Sequence, residues 1–162
     1  MMQYSDIVFG DQNEWEVASG VKHIPFNALD AGYVINREAY QEYFRKMHVL
    51  FPKCKKMVMA LRNQLASSHH TLTGLLYDAV HDSLYTTKIY DIQPIVDPMG
   101  VGDAFVAGYI HAHQKWTADN QYCLDFALSA SALKNTIPGD QNLVTEEEII
   151  SNLTSSGGRI QR

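Results

Sequence analysis

The sequence has 162 residues, of which 46% are hydrophobic, and this suits a single globular domain with a substantial buried core. The formal net charge of -5 and the lack of any basic stripe exclude a surface built to neutralise nucleic-acid phosphates. Two widely spaced cysteines exclude a disulfide framework, and no segment has the apolar length of a membrane span or the pattern of a secretory signal. We therefore expect a cytoplasmic protein with neither nucleic acid nor membrane as a partner.

The first half of the chain predicts two strands and two helices. The apolar run at residues 7–10 indicates a buried strand, and the polar run that begins at Asp11 indicates the start of a helix. Residues 21–35 show no clear period and are predicted to be irregular. From Arg37 to Phe51 the apolar and aromatic residues recur at spacings of three and four, the period of one helix face. The continuous apolar run at residues 57–61 predicts a buried parallel strand.

The second half adds strands and then helices. Residues 71–77 and 84–96, rich in Thr, Tyr, Ile and Leu, predict antiparallel strands beside the parallel core. The last third predicts three helices, over residues 103–116, 120–135 and 145–153. Strands interleaved with helices indicate one α/β layered unit over residues 1–153. Residues 154–162 have no periodicity, and we expect this tail to be disordered.

The junction at residues 95–105 carries the most chemical information, because an apolar strand runs there into a glycine-containing turn that opens a helix. The first N–H groups of a helix have no partner within it and lie at the positive end of its dipole, so such a turn can hold a phosphate. Gly100 and Gly102 leave the backbone accessible, since they lack a Cβ atom. From local chemistry alone, Asp103 is either a helix cap or a catalytic carboxylate.

Residues 97–108, Asp-Pro-Met-Gly-Val-Gly-Asp-Ala-Phe-Val-Ala-Gly, resemble the Asp-Thr-x-Gly-Ala-Gly-Asp-x-Phe signature of the ribokinase-like, PfkB-type carbohydrate kinases. The resemblance implies ATP-dependent phosphorylation of a sugar or sugar-acid hydroxyl, with ATP and Mg²⁺ as cofactors and Asp103 as the general base. It also implies an anion hole made by the backbone amides at the start of the helix: Gly100, Val101, Gly102 and Asp103. Pro98, Met99 and Val101 depart from the commonest wording of the signature, but these changes leave the donors of the anion hole in place.

Two short features resemble the 2-keto-3-deoxygluconate kinases of this family. They are the Asp97-Pro98 version of the signature and a strand that ends in Leu61-Arg62. The resemblance implies 2-keto-3-deoxygluconate as the substrate, with fructose or ribose as the alternatives. It also implies that the Arg62 guanidinium lies near the nucleotide phosphates, whereas a solvated arginine at a strand end is the alternative.

Two further segments extend the resemblance. Residues 5–20 are similar to a family segment in which a strand leads to Asn-x-x-Glu, with Asp11 here at the Asn position and Glu14 at the Glu position. The implied function is indirect binding of Mg²⁺ through oriented water, and a plain helix-surface carboxylate is the alternative for Glu14. Residues 126–140 resemble the helix and turn that border the adenine. This likeness implies three nucleotide-binding residues, Lys134, Asn135 and Gly139, while close helix packing alone is the alternative for the Ser and Ala residues.

Histidine pairs at two places raise the question of a metal site. His69 and His70 are adjacent in a predicted strand, so their side chains point to opposite faces. His111 and His113 are two residues apart in a predicted helix, a spacing that does not bring side chains together. We therefore expect both pairs to have surface or packing functions.

The resemblance covers nearly the whole chain but only about the C-terminal half of the family pattern. It implies a ribokinase-like three-layer α/β/α fold with a mainly parallel sheet, of which this chain is the C-terminal portion. The N-terminal half would supply the sugar-binding residues, so we expect a fragment or a split-gene product that is inactive alone. Such a chain would need that half as a partner or would self-associate through an exposed sheet edge. A non-catalytic nucleotide-binding subunit is the alternative function.

Overall fold

The computed structural model describes residues 2–25, 33–155 and 159–160, the last two as backbone only. A 3₁₀ turn at Met2–Tyr4 precedes six strands and five α-helices in this part of the chain. In chain order they are β1 (Ile7–Gly10), α1 (Gln12–Ser19), α2 (Arg37–Leu50), β2 (Lys56–Ala66), β3 (His69–Asp78), β4 (Ser83–Thr86), β5 (Tyr90–Ile92), α3 (Val101–Lys115), α4 (Asn120–Lys134), α5 (Glu146–Thr154) and β6 (Arg159–Ile160). None of these helices is long and apolar enough to cross a membrane.

The strands form one mixed sheet. Its order is β1-β2-β3-β5-β6, and β4 pairs with β3 beside β5. The β1–β2 and β5–β6 pairs are parallel, whereas β3 is antiparallel to β2, β4 and β5. The expectation of a mainly parallel sheet was therefore wrong for the described residues. The reason is that β2 runs on to Ala66, and the short connection that remains before His69 can join only antiparallel strands.

Helices cover both faces of the sheet, which confirms the three-layer α/β/α architecture. On one face α1 and α2 bury an aromatic cluster against β2 and β3, whose main members are Trp15, Tyr40, Phe44, Met47, Met57, Leu75 and Tyr77. On the other face α3, α4 and α5 bury a second cluster, which includes Val58, Leu72, Leu76, Phe105, Tyr109, Leu124, Phe126 and Ile149. The predicted helix face of residues 37–51 supplies the first cluster, as its period of three and four indicated.

Close contact between α3 and α4 fixes the helix layer that carries the signature segment. A Cβ atom on Gly108 would lie 3.0 Å from the Cβ of Ala130 and 3.1 Å from the Cα of Ala127. Small residues on both helices therefore let the two backbones approach, which confirms packing as a function of the Ala residues in α4. The start of α3 also packs on the sheet, because Val101 and Phe105 share a buried cluster with Val58 and Leu72.

Some boundaries differ from the sequence-based expectations. The region 84–96 forms two short strands, β4 and β5, that pair with successive parts of β3. In the tail, α5 extends to Thr154, and Arg159–Ile160 pair with β5 as a parallel strand although this segment was expected to be disordered. Residues 156–158 and 161–162 of the tail, and residues 26–32 of the segment predicted to be irregular, lie outside the described residues.

The strand β1 lies at the edge of the sheet and pairs with β2 alone among the described residues. Its register is set by the backbone carbonyl of Asp6, which accepts hydrogen bonds from the amides of Lys55 and Lys56 at 2.8 and 3.0 Å. Its carboxyl end leads directly into α1, as the sequence predicted.

Candidate active site

A cleft of about 550 Å³ lies between the carboxyl end of β1, the middle of β2 and the start of α3. Its walls come from residues 9–14, 60–62 and 98–103, together with Leu72, Phe105, Val106 and Ser131. The cleft brings together seven of the predicted site residues, namely Asp11, Glu14, Arg62, Gly100, Val101, Gly102 and Asp103. These residues come from three segments that are far apart in the sequence, so their meeting is a property of the fold.

The start of α3 presents backbone donors to the cleft. The first helical hydrogen bond runs from the Ala104 amide to the Gly100 carbonyl at 2.9 Å. The amides of Val101, Gly102 and Asp103 precede it, so they have no acceptor within the helix. A Cβ atom on Gly102 would have nothing within 4 Å, which shows that the backbone is open on this side. Three donors at the positive end of a helix dipole make a site suited to an anion.

Gly100 is the N-cap of α3 and has a left-handed conformation with φ of 71°. A Cβ atom here would lie 2.3 Å from the carbonyl oxygen of Asp140, closer than any such contact in real structures. Both the backbone conformation and the packing therefore require glycine at this position. Having no side chain, Gly100 makes no capping hydrogen bond to α3.

Asp103 lies in the first turn of α3 and is exposed at the cleft. The helix cap is Gly100, and the Asp103 carboxylate makes no hydrogen bond with any of the described residues. Its contacts thus do not support the capping alternative that the sequence left open. A carboxylate beside three amide donors can take a proton from a hydroxyl held between them.

Asp97 ties the turn before α3 to the turn after α4. Its Oδ1 accepts a hydrogen bond from the Met99 amide at 2.9 Å, and its Oδ2 accepts one from the Gly139 amide at 2.8 Å. These two bonds hold the pKa of the Asp97 carboxyl below its usual value. No local sequence pattern predicts this pair of hydrogen bonds, because the second donor, the Gly139 amide, lies in a different connection.

Asp11 and Glu14 line the cleft but are engaged in a capping box at the start of α1. Asp11 Oδ1 accepts from the amides of Asn13 and Glu14 at 2.8 and 2.9 Å, and Glu14 Oε2 accepts from the Asp11 amide at 2.9 Å. Their contacts are those of a helix cap. Across the described residues, no group of three His, Cys, Asp or Glu side chains could hold a metal ion directly. A function toward Mg²⁺ through water stays a prediction.

The other predicted nucleotide residues divide into two groups. Arg62 lines the cleft on β2 and is exposed. Lys134 and Asn135 are buried, and they donate to the carbonyls of Ile137 and Ser131 at 3.2 and 2.9 Å. Gly139, with φ of 82°, gives its amide to Asp97. The contacts of these last three residues stabilise the turn after α4, and they lie outside the cleft lining, so nucleotide binding by them stays a prediction.

The two histidine pairs do not converge, as their spacing indicated. His69 Nε2 lies 2.6 Å from Asp91, while His70 is buried and its ring nitrogens have no partner among the described residues. Burial lowers the pKa of His70. His111 Nε2 lies 2.6 Å from Glu146, whereas the ring of His113 stacks on Tyr109.

No protein-family model matches the chain, and no curated protein matches it. The solved structures that are similar to it include three sugar kinases. The 2-dehydro-3-deoxygluconokinase of Thermotoga maritima has a TM-score of 0.79 and 27% identity, over 95% of this chain and 43% of that one. A PfkB family carbohydrate kinase of Listeria grayi has a TM-score of 0.75 and 25% identity, over 95% of this chain and 42% of that one. A provisionally named 2-keto-3-deoxygluconate kinase of Enterococcus faecalis has a TM-score of 0.72 and 20% identity, over 99% and 44%, and shows the fold alone.

Proposed function

We propose that this chain, which has the fold of part of a PfkB-type carbohydrate kinase, is the nucleotide-binding and catalytic portion of an enzyme that phosphorylates a sugar or sugar-acid hydroxyl. The observation that carries the proposal is the meeting, in one cleft, of Asp103 and three amides that have no acceptor within α3. Neighbouring structures with the same fold bear the names of sugar kinases, which supports this class of reaction.

The residues of the cleft suit phosphoryl transfer from ATP. The amides of Val101, Gly102 and Asp103 donate to oxygens of the transferring phosphoryl group, where negative charge develops. Asp103 takes the proton from the accepting hydroxyl while the oxygen of that hydroxyl bonds to the γ-phosphorus. The bond from this phosphorus to the bridging oxygen breaks, and ADP leaves with its electron pair. Mg²⁺, when bound with ATP, neutralises phosphate charge. We assign Asp11 and Glu14 to its water shell and Arg62 to the phosphates.

The proposed substrate is 2-keto-3-deoxygluconate. The proposal is supported by the Asp97-Pro98 and Leu61-Arg62 sequences and by the name of the Thermotoga maritima structure. The test is a panel of coupled kinase assays on a complete enzyme that contains this chain. A clear preference for fructose or ribose would contradict this substrate and leave the reaction class intact.

One observation favours a second candidate, a nucleotide-binding subunit without activity of its own. The chain spans 43% of the length of the Thermotoga maritima kinase and 42% of that of the Listeria grayi kinase. If the groups that orient the accepting sugar lie in the part of the kinase that this chain does not cover, then this chain binds ATP without phosphorylating a sugar. The loss of orientation would remove about 7–11 kcal/mol of rate enhancement.

Calorimetry with Mg-ATP and a coupled sugar kinase assay on the 162-residue chain test this separation. We expect weak ATP binding and no measurable sugar phosphorylation, together with self-association in light scattering, because β1 is an edge strand in the described part of the sheet. Addition of the complementary kinase half should restore turnover if the chain is catalytic, and it should leave turnover absent if the chain only binds nucleotide. Robust phosphorylation by a clean monomer of the chain alone would refute the incomplete-site interpretation.

A further inference from the structure

The turn before α3, which carries the amide donors, is not stabilised by a capping side chain. Helix starts are commonly held by a side chain at the N-cap, but the N-cap of α3 is Gly100, which has none. The preceding residue, Met99, is exposed and fills no core position. The conformation of this turn must therefore be stabilised by groups outside the helix.

The connection between α4 and α5 provides those groups. The carbonyl of Asn135 accepts from the amides of Val96 and Asp97 at 2.8 and 3.3 Å. The carbonyl oxygen of Asp140 packs directly against Gly100. Both contacts involve backbone atoms, so they hold the strand end and the glycine but leave Met99 free to turn.

The Asp97 side chain closes this arrangement, since it accepts from Met99 on one side and from Gly139 on the other. We propose that Asp97 is a positioning residue, whose carboxylate holds the amides at the start of α3 in the arrangement that binds a phosphoryl group. The proposal rests on the function proposed above, because these amides matter only if the cleft binds phosphate.

The charge of Asp97 makes the proposal sharply testable. A carboxylate this close to an anion site repels the anion, so a residue that acts by its charge alone should weaken phosphate binding. A residue that acts by position should strengthen binding in spite of that repulsion. Removing the charge of Asp97 while keeping its shape should therefore strengthen phosphate binding if Asp97 acts only by its charge, and weaken it if Asp97 acts by position.

The substitution Asp97→Asn makes this change. One acceptor becomes an NH₂ group, which faces an amide donor and cannot accept a hydrogen bond from it. Asp91→Asn is the matched control, because it removes one negative charge from a half-buried carboxylate that lies outside the cleft lining. Calorimetry measures the Kd of each protein for Mg-ATP. The changes in the amide NMR shifts of Gly102 and Asp103 report the binding of inorganic phosphate at these amides. Unfolding midpoints are measured in parallel.

We expect Asp97→Asn to weaken Mg-ATP binding about tenfold or more, the scale of one lost hydrogen bond to a charged group, and Asp91→Asn to leave it nearly unchanged. Equal or tighter binding by Asp97→Asn would overturn the positioning function. Should the Asn variant unfold, Asp97→Glu keeps the charge but its longer side chain no longer fits between the two amides. Weaker binding by a folded Glu variant supports positioning, and unchanged binding overturns it. A wild-type chain that binds no Mg-ATP would refute the proposed function itself.

Discussion

Two glycines in one turn should respond in opposite ways to the same substitution, Gly100→Ala and Gly102→Ala. At Gly100 the left-handed backbone costs an alanine about 1–2 kcal/mol. The clash with the Asp140 carbonyl, 2.3 Å from the new Cβ, adds about 1–3 kcal/mol of overpacking strain. The lower entropy of the unfolded chain with alanine offsets about 0.4–1 kcal/mol. The net loss is about 3 kcal/mol of unfolding free energy, or a melting temperature lower by about 6–12 °C.

At Gly102 the new Cβ meets nothing within 4 Å, and alanine is favoured over glycine inside a helix by about 0.5–1 kcal/mol. Gly102→Ala should therefore be as stable as the wild type or more so. Its methyl group lies on the open side of the amides, so Mg-ATP binding should weaken by about ten- to a hundredfold, the value of one hydrogen bond to a charged group. Urea unfolding and calorimetry measure the two effects. A Gly100→Ala variant as stable as the wild type, or a Gly102→Ala variant that binds ATP normally, would refute the reasoning.

Three further perturbations test the site and the core. Asp103→Asn in a complete kinase should lower kcat by roughly two or more decades with little change in ATP affinity, and normal turnover would show that Asp103 is not the base. Gly108→Val should lower the unfolding free energy by about 1–3 kcal/mol through its contact with Ala127 and Ala130, whereas the exposed control Ala107→Val should cost far less. Because burial lowers the pKa of His70 from 6.5, the unfolded chain binds more protons as the pH falls through that value, so stability should decrease from about pH 6.5 downward. His70→Leu should flatten this dependence in urea unfolding at pH 8 and pH 5, and an unchanged slope would rule out His70 as its source.

Local patterns were sufficient to predict most elements of the fold. The period of residues 37–51 gave α2, and the signature segment gave the start of α3 within two residues. The sheet was harder to predict, because the apolar run at residues 57–61 describes only the buried part of β2. The strand continues with alternating exposed residues, Arg62 and Gln64, into a hairpin with β3, so the end of the apolar run does not mark the end of the strand.

The candidate site divides in the same way. Gly100, Gly102 and Asp103 lie within four residues of the chain, so local chemistry predicted an anion-binding turn there, whereas the catalytic function of Asp103 was predicted only from the family resemblance. Nucleotide binding by Lys134 stays a prediction, but the sequence did not predict its burial, in which its ammonium group donates to the Ile137 carbonyl. A sequence does not show whether a lysine at a helix end points outward or inward. The bond from the Gly139 amide to Asp97 was not predictable either, because folding alone brings these two residues together.

The pairing of β1 has a practical consequence for handling this protein. Peptide groups in a strand alternate in direction, and Asp6 turns its carbonyl toward β2. Val8 therefore also faces β2, while Ile7 and Phe9 direct their N–H and C=O groups away from the sheet. Phe9 lines the cleft and its ring contacts Tyr109, so the position suited to proline is Ile7. Proline there would keep the ladder to β2 and block the docking of another strand, whereas proline at Val8 would break the ladder itself. Position 7 of the strand thus offers a route to a chain that stays dispersed at the concentrations that crystallisation and NMR require.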